Sequence, residues 1–303
     1  MAGGRAMNRP GILITGGGGF VGSHLAEGLS ALGYPVMALD RRFDAATRSR
    51  LAGIRLIEAE LTAEALRAAM DESIGIVIHG AALTTPPECL GISEIAHVRD
   101  NVTLLIDCLD QAVAWGIGCF IFLSSSGVFA FDEADLLDEA VAPQGTSAYA
   151  LGKRAGEVIA LARPETLVLR LGPLYGPHEE SRPTRRFVSP IRQWLDAAQK
   201  GMPLVVASPQ SRRDWTFLPD LAAAIDRLIR SEARGLMHLT SGEIISDLAL
   251  AETIAARTPG LVAERADETG PKRVPMVSRR PDLKGFAWTL LERGLHLMSE
   301  VRS

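Results

Sequence analysis

The chain has 303 residues, of which 47% are hydrophobic and 22% are charged, a balance typical of a folded protein with a sizeable core. Its formal net charge of −4 argues against a dedicated nucleic-acid-binding protein, which usually carries a strong basic excess. No apolar run approaches the roughly 18 residues that cross a bilayer, and the N-terminal segment is too short and polar for a secretory signal. We therefore expect a cytoplasmic protein with no membrane and no nucleic-acid partner.

The cysteines and basic pairs carry less information. Cys89, Cys108 and Cys119 lack the close C-x-x-C spacing of a metal site, so the sequence predicts no metal centre. Unpaired thiols suit a reducing compartment. The pairs Arg185–Arg186 and Arg212–Arg213 could bind a small anion or lie on a solvated surface.

Short apolar runs alternate with amphipathic stretches through the first half of the chain. Apolar runs predict strands at 11–16, 35–40, 54–61, 74–82, 119–126 and 166–172. Helical spacing predicts helices near 23–33, 63–71, 97–115 and 147–162. Such alternation implies parallel strands with right-handed crossovers, so we expect an α/β fold with a doubly wound parallel sheet.

After residue 172 the pattern loosens, and residues 173–190, rich in Pro, Gly and Arg, predict a loop. Further helices are predicted at 189–201, 218–231, 246–257 and near 287–298, with a strand at 203–207. The helix over 215–235 is expected to return to the main sheet. The remainder predicts a smaller C-terminal lobe.

A glycine-rich turn joins the first predicted strand to the first helix. Gly16, Gly19 and Gly22 stand where backbone N–H groups can approach a pyrophosphate at the positive end of a helix. A glycine-rich turn without a ligand is the alternative. Asp40 ends the second strand, where a carboxylate can accept hydrogen bonds from both ribose hydroxyls and repel a 2′-phosphate, which favours NAD. Arg41 follows directly and leaves NADP possible.

A second group of polar residues predicts proton-transfer chemistry. Ser125 stands at the end of a buried strand, and Tyr149 follows 24 residues later with Lys153 one helical turn on. A tyrosine can act as a base near neutral pH if an ammonium stabilises its phenolate, while a serine hydroxyl holds the reacting oxygen. Taken alone, the serine could be a solvated strand end and the Tyr–Lys pair a coincidence of helix spacing.

Seven segments in order resemble the extended short-chain dehydrogenases/reductases, the NAD-dependent epimerase/dehydratase group. They are "TGGGGFVGSHL", "VIHGAAL", "DNV" at 100–102, "LSSSGVFA", "YALGK", "RLGPLYGP" and "RRDWTFLPDL", and they span about residues 11–240. The resemblance implies a Rossmann-type NAD-binding sheet. It also implies that Ser125 is a catalytic residue, Tyr149 the base or acid, and Lys153 its pKa modifier and ribose anchor.

The resemblance extends the predicted cofactor site. It implies roles for Phe20, Val21, Gly80, Ala81, Ala82 and Asn101, and Glu60 and Leu61 complete the predicted set. Thr84, Ser126 and Arg213 are the predicted substrate-binding residues.

Departures from the family pattern bear on the reaction. Family 4,6-dehydratases carry an Asp–Glu pair where this chain has Ser126 and Gly127, which disfavours dehydration. Pro173 replaces an asparagine that contacts substrate in many epimerases. Arg213 either grips a nucleotide diphosphate or pairs with an aspartate to hold the second lobe together.

Two enzymatic hypotheses remain. Epimerisation of a sugar, most simply a nucleotide sugar, is favoured, and an NAD(P)-dependent dehydrogenase or reductase of a sugar, sugar acid or other hydroxyl compound is the alternative. A non-catalytic NAD-binding regulator is less favoured, because Tyr149 and Lys153 are both present.

The predicted domains and assembly follow from these assignments. An NAD-binding domain is expected over 1–172 with about 215–240, and a substrate-binding lobe over 173–214 with 241–303. The resemblance also implies a homodimer through the helices near 101–115 and 147–162.

Overall fold

The computed structural model describes residues 9–130, 134–181, 186–258, 261–266 and 272–300. The strands in these ranges are β1 (Gly11–Thr15), β2 (Val36–Asp40), β3 (Arg55–Glu58), β4 (Ile74–His79), β5 (Cys119–Ser125), β6 (Thr166–Leu171), β7 (Leu174–Tyr175), β8 (Leu204–Val206), β9 (Arg212–Asp214), β10 (Thr216–Phe217), β11 (Gly235–Leu239), β12 (Ile244–Ser246) and β13 (Ala263–Arg265).

The helices are α1 (Phe20–Ala31), α2 (Ala45–Arg50), α3 (Ala63–Ala69), α4 (Pro87–Leu90), α5 (Glu94–Ala114), α6 (Ala148–Leu161), α7 (Pro190–Gln199), α8 (Asp220–Arg230), α9 (Asp247–Ala255) and α10 (Leu291–Glu300). Short 3₁₀ turns lie at Ser126–Val128 and Pro281–Leu283. No helix among the described residues combines the length and the apolar character needed to cross a membrane.

Seven strands form one parallel sheet in the order β11-β6-β5-β4-β1-β2-β3. The predicted α/β fold with a doubly wound sheet is confirmed. The chain order reverses between β1 and β4, so the loops after these two strands diverge and leave a crevice at their carboxyl ends. The polar ends of β1, β2, β4 and β5 converge on this edge.

The central strands read as continuous apolar runs because both faces of the sheet are covered. In β1, Ile12 and Ile14 pack into the core on one side, whereas Leu13 packs into the core on the other. Helix α8 returns to the first of these cores through Leu221 and Ile225.

The sequence pattern missed several short elements, among them α2, α4 and the seventh sheet strand, β11. This strand pairs with β6 at the edge of the sheet, and its segment "GLMHL" is short and includes a buried histidine, His238. Edge position and a polar residue weaken the apolar signal of a strand.

A separate core forms in the C-terminal half. Tyr175, Ile191, Trp194, Leu250 and Leu295 are among its buried members. This core supports the predicted smaller lobe. The boundaries of that lobe remain a prediction. The core also includes Trp215 and Phe217, which the predicted boundary places in the NAD-binding domain.

Candidate active site

A cleft of about 930 Å³ lies at the carboxyl edge of the sheet. It is lined by the turn after β1, the end of β2, the segment after β4, one side of α5, the end of β5 and the first turn of α6. The elements that alternate along the sequence therefore bring the predicted glycine, serine and tyrosine motifs to one cavity.

The glycine turn is shaped by close backbone contacts. Gly16 has a φ of 72°, in the left-handed region that favours glycine, and a Cβ there would lie 2.7 Å from the nitrogen of Ala81. A Cβ on Gly22 would lie 2.1 Å from the oxygen of Gly16, so the helix start must pack directly on the turn. Gly19 lines the cleft, and a Cβ added there would meet only the Gly16 oxygen, at 3.2 Å.

The sequence pattern did not single out Gly17 and Gly18, yet both are packed tightly. A Cβ on Gly17 would come within 2.6 Å of the Ala38 Cβ, and one on Gly18 within 2.5 Å of the Arg42 oxygen. These contacts lie on the side of the turn that faces β2. These contacts fix the position of the turn against β2, and the opposite side of the turn faces the cleft.

Asp40 links this turn to β2. Its carboxylate accepts a hydrogen bond from the Gly18 N–H at 3.0 Å and a longer one from the Arg42 N–H at 3.4 Å. Burial raises the pKa of Asp40, and these N–H groups oppose that rise. The carboxylate also lines the cleft beside Arg41, so it can meet a bound polar group while holding the glycine turn.

The cleft residues fit the predicted cofactor. Gly19 sits at the start of α1, where the main-chain N–H groups of the first turn and the helix dipole favour a phosphate. The predicted cofactor residues that line the cleft are Gly16, Gly19, Phe20, Val21, Gly22, Asp40, Arg41, Glu60, Leu61, Gly80, Ala81, Ala82 and Tyr149. Their chemistry, a glycine cradle beside a carboxylate, suits a dinucleotide.

Ser125 and Tyr149 lie on either side of Gly127. A Cβ built on Gly127 would be 3.2 Å from the Ser125 Oγ and 3.3 Å from the Tyr149 Cε1. The Ser125 Oγ accepts a hydrogen bond from the Gly127 N–H at 3.0 Å, which anchors the hydroxyl at the end of β5. Both side chains line the cleft, so a substrate oxygen placed there can reach the hydroxyl and the phenol together.

Lys153 lies behind Tyr149 and is buried, with 6% of its surface exposed. Its Nζ donates a hydrogen bond to the main-chain oxygen of Leu123 at 2.7 Å and lies 6.0 Å from the centre of the Tyr149 ring. Burial lowers the pKa of Lys153 to about 8, and the charge of Glu157 partly opposes this. The amine is still mostly protonated at neutral pH, where it can stabilise a phenolate.

Asn101 connects the segment after β4 to α5. Its Oδ1 accepts from the Leu83 N–H at 2.8 Å, and its Nδ2 donates to the Leu83 oxygen at 3.3 Å and to the His97 oxygen at 3.1 Å. Asn101 does not itself line the cleft. It positions Leu83, which does line the cleft. Lys153 does not line the cleft either.

Only one of the three predicted substrate-binding residues lines the cleft. Thr84 lines the cleft, whereas Ser126 and Arg213 do not. The Arg213 guanidinium makes two hydrogen bonds to the buried Asp247, at 2.7 and 2.8 Å, which ties β9 to α9. Its role toward a substrate remains a prediction, as do the roles of the other site residues.

Several cleft residues were missed by the sequence analysis. They are Leu39, Leu83, Arg99, Asp100, Thr103, Leu104, Asp107, Ser124, Leu171, Gly172 and Arg273. Leu174, Arg186 and Phe187 also line the cleft and belong to the predicted loop over 173–190. The missed residues on α5 recur every three or four positions, so they lie on one face of the helix. This spacing is visible in the sequence and could have been used to predict them. Arg273 carries no local signal. Arg186 belongs to a basic pair whose partner, Arg185, lies outside the described residues.

Comparisons with known proteins complete the description of the site. The model of the "NAD dependent epimerase/dehydratase family" matches residues 12–238. A curated relative, dTDP-4-dehydro-6-deoxy-D-allose reductase of Streptomyces bikiniensis, is 28% identical over 268 residues, which cover 81% of this chain and 80% of the relative. Another, dTDP-glucose 4,6-dehydratase of Streptomyces niveus, is 26% identical over 261 residues, covering 80% and 76%.

Solved structures give the same fold. UDP-glucose 4-epimerase of Thermotoga maritima, solved with UDP-glucose, superposes with a TM-score of 0.81. The match is 20% identical and covers 96% of this chain and 97% of that one.

Proposed function

Because this chain belongs to the NAD dependent epimerase/dehydratase family, we propose that it moves hydride between a hydroxyl-bearing carbon of a nucleotide sugar and NAD. The family assignment bears out the resemblance seen in the motifs, the enzymatic character and NAD as cofactor. One observation carries the proposal. Ser125 and Tyr149 line the same cleft as the glycine turn, with the Lys153 ammonium buried behind the phenol.

Each of these residues has a chemical task in the proposed reaction. Bound NAD supplies the hydride acceptor and donor. Tyr149 takes the proton from the substrate hydroxyl and returns it to the carbonyl oxygen on reduction. Ser125 holds that oxygen by a hydrogen bond, and Lys153 keeps the phenolate accessible near neutral pH.

The nucleotide-sugar assignment is supported by relatives and by charge. The curated relatives named above act on dTDP sugars by name, and the Thermotoga maritima protein was solved with UDP-glucose. Arg186 and Arg273 bring positive charge into the cleft of a chain whose net charge is −4. An arginine pair suits a diphosphate because each guanidinium can make two parallel hydrogen bonds to it.

Epimerisation and net reduction are the two outcomes we propose for this site. Epimerisation was favoured by the motifs, and the likeness to UDP-glucose 4-epimerase in fold is compatible with it. Reduction of a keto sugar is supported by the similarity in sequence to dTDP-4-dehydro-6-deoxy-D-allose reductase, of which this chain covers 80%. Dehydration remains disfavoured, because Ser126 and Gly127 provide no carboxylate next to Ser125.

Product analysis distinguishes these outcomes. The purified protein is incubated with UDP- and dTDP-hexoses, or their 4-keto derivatives plus NADH, and sugars and nicotinamide are quantified by mass spectrometry and absorbance at 340 nm. Epimerisation converts one sugar into its epimer with no net change in NADH, whereas reduction consumes NADH in proportion to product. Absence of any conversion of nucleotide sugars, together with conversion of free sugars or sugar acids, would contradict the substrate class.

We also propose the predicted domain boundaries, a cytoplasmic location and a homodimer. Helices α5 and α6 pack along each other, and they carry exposed apolar side chains, including Ile95 at 82% and Val158 at 74% exposure. Pairing two copies through this face would remove those side chains from water. Light scattering should then give twice the 32.5 kDa mass of one chain.

A further inference from the structure

We propose that Glu157 is a positioning residue of this site, which holds the Lys153 ammonium charged and ties the serine strand to the tyrosine helix. The inference rests on the proposed roles of Tyr149 and Lys153. Glu157 touches neither the cleft nor any reacting atom, so its effect on the reaction is indirect.

The contacts of Glu157 join three elements of the site. Its Oε1 accepts a hydrogen bond from the Ser124 Oγ at 2.6 Å and another from the Arg170 Nε at 2.9 Å. Its Oε2 accepts from the Arg170 Nη2 at 2.7 Å. Ser124 precedes Ser125 at the end of β5, Arg170 lies on β6, and Glu157 follows Lys153 by one turn of α6. One carboxylate therefore fixes how α6 sits on the two strands that carry the site.

These groups are deeply buried. Glu157 and Arg170 are each 4% exposed, and Ser124 is 2% exposed. A pair of buried charges rarely adds stability over apolar residues of the same size, because both ions must be removed from water. A residue chosen only for packing would be apolar at position 157, so the charge itself calls for another explanation.

The charge acts on Lys153. Burial disfavours the ammonium form of this lysine, and Glu157 is the charged group that opposes burial. Residues four apart on a helix lie on one face. Both side chains also reach neighbouring residues of β5, Lys153 at the Leu123 oxygen and Glu157 at the Ser124 hydroxyl, which keeps the carboxylate close to the ammonium. A neutral amine would give no electrostatic support to a phenolate on Tyr149.

The other groups around the ammonium do not replace Glu157. Two other titratable side chains lie near the ammonium: His79 on β4, which stacks on the Phe122 ring that the ammonium also contacts, and Tyr149 on α6. Arg170 on β6 bonds to Glu157. Burial lowers the pKa of His79 to about 3, so this ring is neutral at working pH. Arg170 is positive and is already paired with Glu157.

The phenolate of Tyr149 can be titrated without substrate, which separates this inference from the proposed function. The chain has three tyrosines. Burial raises the pKa of both others, Tyr34 and Tyr175, so neither should ionise in the range of interest. The absorbance change near 295 nm that disappears in Tyr149→Phe is thus assigned to Tyr149.

The decisive measurement compares this titration in the NAD-loaded wild type and in Glu157→Gln. Without the carboxylate, Lys153 loses its proton at lower pH, and the phenolate then forms at higher pH. We expect the midpoint of the 295 nm titration to rise by roughly one pH unit, the lower end of the effect of a charge 4–6 Å away. The acidic limb of the kcat–pH profile for sugar oxidation should move in the same direction.

Two further variants keep the test decisive. Glu157→Gln leaves Arg170 buried without its partner and can fail to fold, whereas the double variant Glu157→Gln/Arg170→Gln leaves no unpaired charge. The double variant should show the same upward shift, because Glu157 is the group that supports the ammonium. Asp282→Asn is the control for loss of an arginine–carboxylate pair, since Asp282 makes two hydrogen bonds with Arg280 outside the cleft, in a more exposed setting. It should leave the midpoint unchanged.

Three results would overturn the inference. A folded Glu157→Gln or double variant with the wild-type midpoint would show that the carboxylate does not act on the site. An equal shift in Asp282→Asn would show that any lost ion pair has this effect. Failure of both Glu157 variants to fold would assign Glu157 to the fold instead. Loss of the proposed function alone, with the spectroscopic shift intact, would leave the positioning role standing.

Discussion

The Lys153 side chain donates a hydrogen bond to the main-chain oxygen of Leu123 across 2.7 Å, and this contact joins α6 to β5. It places the ammonium 4.8 Å from the centre of the Phe122 ring and 6.0 Å from that of Tyr149. The amine is thereby held in a dry position behind the phenol.

Replacing Tyr149 by Phe should abolish turnover while leaving NAD binding nearly intact. The phenol oxygen is the proposed proton carrier, and losing a general acid–base group costs roughly 100- to 10,000-fold in rate. Turnover is measured with the substrate identified by product analysis, and retained NAD by extraction from the purified variant. Full activity in Tyr149→Phe would refute the catalytic assignment.

Gly19→Ala should weaken NAD binding with only a modest loss of stability. Gly19 has φ −74° and ψ 172°, an extended conformation open to any residue, and its added Cβ would meet only the Gly16 oxygen, at 3.2 Å. The methyl group would occupy space on the cleft side of the turn, where we place the pyrophosphate. We expect at least about a tenfold loss in NAD affinity by calorimetry. The Tm of the NAD-free protein should fall by a few degrees at most, since alanine is a weaker N-cap than glycine.

Gly118→Ala is the control for that experiment, because a Cβ there meets nothing within 4 Å. Gly118→Ala should change neither the NAD affinity nor the Tm of the NAD-free protein. A Gly19→Ala protein that binds NAD like the wild type would place the phosphates elsewhere.

Asp40→Asn should shift the cofactor preference toward NADP. The amide oxygen can still accept the hydrogen bond from the Gly18 N–H, but the negative charge that repels a 2′-phosphate is gone. Loss of a charge-assisted hydrogen bond costs about 1.5–3 kcal/mol, so NAD affinity should fall roughly 10- to 100-fold. NADP affinity should rise, and a second change, Arg41→Ala, should cancel that gain. An unchanged ratio of the two affinities would exclude Asp40 from cofactor selection.

Gly127→Ala should lower kcat and leave NAD content unchanged. The added methyl group would press on the Ser125 Oγ at 3.2 Å and the Tyr149 Cε1 at 3.3 Å, so one of the two must move. Displacement of either group away from the reacting oxygen is expected to cost roughly 10- to 100-fold in rate. If kcat is unaffected, these two side chains do not act together on one oxygen.

Stability should fall in acid, partly because His79 is buried as a neutral ring. Its hydrogen bond to the Thr15 Oγ1 is 2.9 Å, and burial lowers its pKa to about 3. Below pH 6.5 the unfolded chain takes up a proton that the folded protein refuses, so stability is lost as the pH falls from about 6.5 toward 3. Each such histidine contributes a slope of about 1.4 kcal/mol per pH unit, and His24, whose pKa burial also lowers to about 3, adds a second.

Asp214 opposes this trend, since burial raises its pKa to about 6 and the folded protein binds that proton first between pH 6 and about 3.8. His79→Gln isolates the histidine contribution. Urea unfolding at pH 7, 6 and 5 should give a pH dependence shallower than that of the wild type, by about 0.7 kcal/mol between pH 7 and 6 and by about 1.2 kcal/mol between pH 6 and 5. A slope equal to that of the wild type would mean that His79 is protonated in the folded protein.

Much of the site could be predicted because its signals are local in the chain. The turn containing Gly16, Gly19 and Gly22 joins a strand to a helix, and the Tyr149–Lys153 spacing is one helical turn. The residues missed on α5 share the same periodicity. Arg186 belongs to a basic pair that the sequence offered as an anion site, but its place in this cleft could not be predicted locally. Arg273 could not be predicted in this way either, because it reaches the cleft from a distant segment of the chain.

Local sequence by itself determined the order of strands and helices, the parallel sheet and the motifs at its carboxyl edge. Apolar runs, glycine turns and helix periodicity act over a few residues, and each of these patterns favours one local structure. Only the tertiary structure decided which polar groups become partners. Glu157 pairs with Arg170 on another element, Arg213 turns to Asp247, and Lys153 bonds to Leu123, 30 positions earlier in the chain. A buried charge needs a partner, and that partner comes from whichever element packs beside it in the folded protein. Which elements pack side by side depends on the arrangement of the strands within the sheet.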